Sequence, residues 1–247
     1  MLVSVIMPVF NGIQFLQESI DSILNQSHED FEFIIIDDGS TEPVYDLIEN
    51  CLDTRIRFFR NDKNIGLTKS LNICLDKVRG DFVVRHDADD ISFPTRIEKQ
   101  LELFTQDSNL FTQDSNIGFV GCWANTIDMY GNRIKGFVDS CNCSDDDLTL
   151  KYPKILCMTD PTSIYSAEAI RKIGYFDDKL YLGQTYNYNL RIQKYFRYRV
   201  AKQILYSRRT WDGAVGTRTR KKLKSENKSI SWSALAQQRA IEFPIIK

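Results

Sequence analysis

Glycine and proline are sparse, 12 and 6 in 247 residues, which excludes collagen-like and low-complexity chains. His28 and His86 are the only histidines. No stretch reaches the roughly 18 consecutive apolar residues that a bilayer span needs. Residues 1–12 lack the basic start and the length of a secretory leader, so none is expected. Cysteines stand at 51, 74, 122, 141, 143 and 157, and Cys141 and Cys143 have no second pair at zinc spacing. The expectation is reduced thiols in a cytoplasmic protein, with the Asn-x-Ser triplets at Asn25, Asn142 and Asn227 incidental. Net charge is almost absent too, at −1, but the two signs are separated. Residues 191–247 carry 15 Lys and Arg against 3 Asp and Glu, so the remainder is acidic, 30 against 17.

What is present is a soluble globular composition, 43% hydrophobic and 26% charged. Short β-branched runs at 2–7, 31–36, 56–59 and 82–84 alternate with helical patterns at 14–26, 43–52 and 67–78. That alternation predicts βαβ units and an α/β fold with a mostly parallel sheet and flanking helices. From about residue 117 the pattern changes, with strands expected at 117–121 and 123–129 and a turn at Tyr130-Gly131-Asn132. Helices are expected from Asp145, over 166–173 and 185–198, and through a basic stretch at 217–240. The heptad Leu103–Asn109 repeats at once as residues 110–116, a spacing that extends a helix without turning its apolar side outward.

In such a sheet the ligand site lies beyond the carboxyl ends of the strands. Pro8–Asn11, Asp37–Ser40 and Asp87–Asp90 stand at those ends. Asp87 and Asp89, two apart on a turn, suit a hard cation such as Mg²⁺ or Mn²⁺ that takes its other oxygens from phosphate and water. The plainer reading of either acidic cluster is a solvated turn that caps the next helix. Asp37 and Asp38 at a neighbouring strand end favour a site. A nucleotidyltransferase would also place acids on an α/β sheet, but Val9-Phe10-Asn11-Gly12 is no Gly-rich phosphate loop.

Five ordered motifs over about 100 residues resemble the family 2 glycosyltransferases of the GT-A fold. They are Val3–Asn11, Ser22–Ser27, Phe33–Thr41, Asn64-Ile65-Gly66-Leu67 with Leu71-Asn72, and Gly80–Asp90 with Pro94 and Arg96. A weaker match continues through residues 117–121 and 174–177. The resemblance implies a Rossmann-like nucleotide-binding sheet and transfer of a sugar from a nucleotide-diphosphate sugar, most often a UDP-sugar, to an acceptor hydroxyl with inversion. By the same resemblance Pro8, Val9 and Phe10 line the nucleotide pocket, Asp38 accepts from the base, and Asn64 and Lys69 lie close by. Asp87 and Ala88 also face the nucleotide, and Asp87 and Asp89 manage the Mn²⁺ or Mg²⁺ and the diphosphate. Residues 1–105 would form the nucleotide-sugar half of one GT-A domain, 106–215 its acceptor half, and 216–247 a basic helical tail.

The departures carry equal weight. The resemblance implies acids at the start of the helix that contains Leu190-Arg191, and with that pair fixing the register those positions read Gln184, Thr185 and Asn187. Thr185 occupies the place of the general base and cannot take a proton near neutral pH. Either another acid (Asp160, Asp178 or Asp212) serves, or turnover is weak or absent and the chain is a homologue that binds nucleotide sugar or a partner protein. Arg208 or Arg209 stands where a basic, His-containing loop is usual, and is a candidate for phosphate. His86 is either packed at a strand end or set behind the acidic cluster, and His28 reads as a surface residue. The basic run at 217–224 suits anionic lipid and a glycan or lipid-linked acceptor, hence peripheral membrane contact, or is merely solvated. No nucleic acid is expected.

Overall fold

The computed structural model describes residues 1–105, 116–139, 161–214, 216, 217, 219, 221 and 231–242, with the side chains of 135–139 and 232 left aside. Four parallel strands open the chain: β1 (Val3–Val9), β2 (Phe31–Asp37), β3 (Ile56–Arg60) and β4 (Phe82–Arg85). They are joined through α1 (Ile13–Leu24), α2 (Val44–Glu49) and α3 (Leu67–Leu75). β1 pairs with both β2 and β4, so the chain runs outward through β2 and β3 and then returns to the far side of β1. In sheets with such a reversal the ligand crevice lies beyond the carboxyl ends of the two strands that flank it, here β1 and β4.

Period two explains the two faces of these strands. Val3, Val5, Met7 and Val9, with Phe31, Phe33 and Ile35, pack on Leu16, Ile20 and Ile23 of α1. Ile6, Ile34 and Ile36 turn to the other side, where Leu71, Cys74 and Leu75 of α3 meet them. Burial on both faces is what makes these strands read as unbroken apolar runs.

The sheet continues as β8 (Ile164–Ser166), β6 (Ile117–Ile127) and β9 (Arg197–Arg209), with β5 (Ile91–Ser92) at its edge and β7 (Arg133–Asp139) hairpinned on β6. β8 runs antiparallel to β4 and β6, while β6 and β9 form a long parallel ladder with register shifts. Helices α4 (Arg96–Thr105), α5 (Ala167–Ile173), α6 (Gln184–Ile192) and α7 (Trp232–Glu242) complete the fold. The result is the expected α/β architecture, a curled sheet whose longest ladders are parallel. Among the described residues no helix is long and apolar enough to cross a membrane.

Several expected elements differ. The two strands at 117–129 are one, because Cys122 and Ala124 are buried on both sides of the supposed break. The Tyr-rich helix stops at Ile192, and 197–209, whose charged residues conceal the pattern, is the thirteen-residue strand β9. The duplicated heptad from residue 106, the helix from Asp145, Cys141, Cys143, Cys157 and most of the basic run lie outside the described residues. Cys51, Cys74 and Cys122 are free thiols.

Arg96 ties the layers together without a carboxylate partner of its own. It is fully buried and donates to Gln100 Oε1, Ser92 Oγ and the carbonyls of Arg85 and Pro161 at 2.9–3.1 Å. Its guanidinium also lies 4.7 Å from the centre of the Tyr206 ring. Replacing Arg96 by Met keeps volume but strands four acceptors, a loss of about 3 kcal/mol. For a chain of this size that lowers Tm by about 6–12 °C in a thermal unfolding scan.

Candidate functional site

The carboxyl end of β2 builds one wall of the crevice. Asp38 sits just past β2 with its amide bonded to Val9 O at 2.7 Å, which fixes it beside the end of β1. Its Oδ1 accepts from Asn61 Nδ2 (2.9 Å) and Ile65 N (3.0 Å), and its Oδ2 from Gly66 N (2.9 Å). A carboxylate offers about four acceptor positions, so one remains on Oδ2. Gly39 follows at φ +72°, and a Cβ there would lie 2.5 Å from the carbonyl carbon of Lys63. Glycine is therefore what lets the β2 turn and the 61–66 loop lie backbone to backbone. Asp37 is fully buried and caps the turn by accepting from Ser40 N at 2.8 Å, with Arg60 Nε 3.4 Å away.

Pro8 and Val9 are buried strand residues in register with Ile36 and Asp37, and Phe10 is half-buried just beyond them. Asn11 holds a left-handed φ of 57°, and its Oδ1 accepts from Thr41 N at 3.0 Å, pinning the two strand-end loops together. Asn64, in the 61–66 loop, and Lys69, in the first turn of α3, are exposed.

The acidic turn after β4 forms the other wall. Asp87 accepts from Nε and Nη2 of the buried Arg85 at 3.2 and 3.0 Å, and stays partly open to solvent. Asp89 Oδ2 accepts from the indole N–H of Trp211 at 2.7 Å, and its carbonyl accepts from Arg209 Nε. Ala88, between them, is half-buried against the α1 side of the core. Asp90 is buried and accepts from Tyr206 Oη (2.9 Å) and Arg209 N (2.7 Å). Burial pushes the carboxyls of Asp89 and Asp90 above the usual range, and the neighbouring acids push the same way. This surplus of closely set negative charge, built from oxygen donors alone, suits a hard divalent cation. Among the described residues no three His, Cys, Asp or Glu converge as a closed cage. A cation held by Asp87 and Asp89 would complete its shell with phosphate oxygens and water.

On the opposite side Thr185, in the first turn of α6, is buried, and its hydroxyl accepts from Arg85 Nη1. Gln184 Oε1 and Asn187 Oδ1 are buried with no partner among the described residues. Of the substitute acids, Asp160 lies outside the described residues and Asp178 is exposed. Asp212 is exposed and pairs with Lys221 at 2.8 Å. Arg209 is not a phosphate arginine. It is buried, bonded to Glu18 and to the carbonyls of Asp89, Asp128 and Met129, and lies over the Phe15 ring. Arg208 donates to Thr126 Oγ1. His86 is buried between Ser19 and Ser92, and burial followed by the Arg96 charge holds it well below the usual imidazole range. It is a packed, neutral histidine behind the acidic turn. His28 is half-buried at the Met1 and Asp30 carbonyls.

A model of the family described as glycosyl transferase family 2 matches residues 4–174. The chain belongs to glycosyltransferase family 2. An uncharacterised glycosyltransferase of Methanocaldococcus jannaschii is 30% identical over 209 residues, 83% of this chain and 69% of that protein. One of Rickettsia bellii is 44% identical over 108 residues, 43% of this chain but 15% of that protein, so this chain spans only a small part of that relative. Among solved structures, Staphylococcus aureus TarS 1–349 in complex with UDP superposes at TM-score 0.69 and 19% identity, over 98% of this chain and 70% of that one. A Pyrobaculum calidifontis mannosyltransferase in complex with GDP-Man and Mn²⁺ gives 0.62 at 16%, over 96% and 69%. These likenesses establish the GT-A fold.

Two residues at this candidate site escape a reading by motif. Arg85 is visible only as a charge closing an apolar strand, and Trp211 only as an aromatic donor in a loop that lacks the usual His. Replacing Asp38 by Asn sets an amide N–H₂ against backbone donors. Bonds to a charged acceptor are worth about 1.5–3 kcal/mol, so amide exchange at Ile65 or Gly66 accelerates by about 10–100-fold.

Proposed function

We propose that this chain transfers a sugar from a nucleotide-diphosphate sugar to an acceptor hydroxyl by direct displacement with inversion. The observation that carries the reading is the alignment of Asp38, the Val9–Phe10 strand end and the Asp87–Asp90 turn along one sheet edge, around the point where strand order reverses. In this reading the acceptor position left on Asp38 Oδ2 takes an N–H of the base, uracil in a UDP-sugar. Pro8, Val9 and Phe10 line the nucleotide pocket, and Asn64 and Lys69 border it. Ala88 lies beneath the donor, and Asp87 and Asp89 hold Mn²⁺ or Mg²⁺ with the diphosphate. The cation would stabilise the negative charge that develops on the leaving diphosphate. Structural neighbours in complex with UDP, and with GDP-Man and Mn²⁺, support a nucleotide-diphosphate donor and a divalent cation as the bound groups.

Residues 1–105 bind the donor, 106–215 face a glycan or lipid-linked acceptor, and 216–247 bring a basic tail toward anionic lipid. Cytoplasmic placement, peripheral at a membrane, fits that division, and no nucleic acid is involved.

A second reading is favoured by one contact. The Thr185 hydroxyl accepts from Arg85, and no carboxylate of α6 stands in the base position. The acceptor proton then leaves to water or substrate, and turnover is slow. A homologue that binds nucleotide sugar or a partner protein without turnover is the limiting case.

A panel of UDP- and GDP-sugars with Mn²⁺, followed by release of nucleoside diphosphate, tests both readings. Slow release that Asp89→Asn abolishes supports the enzyme. Calorimetric nucleotide binding without release from any donor selects the binding homologue. Thr185→Asp restores a carboxylate, and general-base assistance is worth about 10²–10⁴ in rate, so release accelerates by at least about tenfold.

A further inference from the structure

Trp211 is built into the acidic site more firmly than a surface aromatic needs to be. Its indole N–H, a donor with no acceptor capacity, points at Asp89 Oδ2 from 2.7 Å. Its ring meets Phe15 edge-on, with centroids 5.0 Å apart, beside the β1 end of the crevice. Behind it, a Cβ on Gly213 would lie 2.0 Å from the six-membered ring, so only glycine admits the indole where it sits. Arg209, two residues earlier, fixes the same loop by donating to Asp89 O and to Glu18. The loop therefore approaches Asp89 by two routes, one to its backbone and one to its carboxylate.

We propose that Trp211 is a positioning residue that sets cation affinity, holding Asp89 Oδ2 through the indole N–H so that Oδ1 is presented to the cation. The inference rests on the assignment of Asp87 and Asp89 to the cation. A carboxylate with two rotatable bonds, set in a turn, otherwise samples orientations that a metal must select from. A fixed donor on one oxygen removes that choice. Since an indole donates only, Trp211 would not itself be a ligand, and Asp87 and Asp89 would hold the cation from this edge of the chain.

The test measures Mn²⁺ binding in the presence of UDP, by the paramagnetic signal of free Mn²⁺ and by calorimetry, on the full chain. Trp211→Phe keeps the ring and removes the donor. Gly213→Ala keeps the tryptophan and forces the ring off its seat. Each is expected to weaken Mn²⁺ by about 10–100-fold, the usual cost of losing a partner behind a metal ligand. Asp89→Asn should abolish binding, and circular dichroism shows which variants are folded. Wild-type affinity in either folded variant, beside loss in Asp89→Asn, overturns the role of Trp211 and leaves the cation assignment standing. Failure of the wild type to bind Mn²⁺ overturns the cation assignment itself.

Discussion

Burying a carboxylate in a protein interior is costly unless donors replace the lost water. Asp90 meets that demand with the Tyr206 hydroxyl and the Arg209 amide, both supplied by β9. The same strand sends Arg209 to the Asp89 carbonyl, while Trp211 just beyond it holds the Asp89 side chain. Tyr206 in turn stacks edge-on against His86 and lies beneath Arg96, which bonds the Arg85 carbonyl at the end of β4. An acidic turn at residues 87–90 is thus held by a strand more than a hundred residues later in the chain. The shape of the crevice depends on that clamp, because β4 alone has no means of keeping three acids close together.

Arg85 connects the two sides of the site. One end of its guanidinium holds Asp87, and the other meets the Thr185 hydroxyl at the start of α6. Where a carboxylate stood at position 185, that arginine would bridge two acids. With threonine there, the α6 side meets that arginine with a hydroxyl, and Asp87 is its carboxylate partner in the acidic turn. The donor-side acids are retained, and α6 offers Gln184, Thr185 and Asn187 in place of the expected acids. In the proposed reading, this contrast makes donor binding and proton removal separable properties.

The first four strands were legible because they are buried on both faces, and burial leaves a continuous apolar run in the sequence. The positions of Asp38 and the Asp87–Asp90 turn followed from the strand ends by a rule of topology. β9 was not legible, since Lys202, Arg208 and Arg209 interrupt its apolar alternation and the preceding Tyr-rich stretch has helical spacing. Arg209 was misread for a related reason. A basic residue near an expected diphosphate suggests a phosphate contact, but its partners are carbonyls and Glu18, which only the three-dimensional arrangement supplies. Asp38 sits where expected, yet three of its acceptor positions serve the 61–66 loop, a backbone commitment that residue type alone does not disclose.

The central claim is that the crevice between the ends of β1 and β4 is where the nucleotide diphosphate and its cation meet the chain. Diffraction from crystals soaked with UDP and Mn²⁺, collected near the manganese absorption edge, tests it most directly. The expected result is an anomalous peak within coordination distance of an Asp89 oxygen, with the diphosphate beside it and the base over Asp38. A peak elsewhere, or a nucleotide seated away from Asp38, would contradict it.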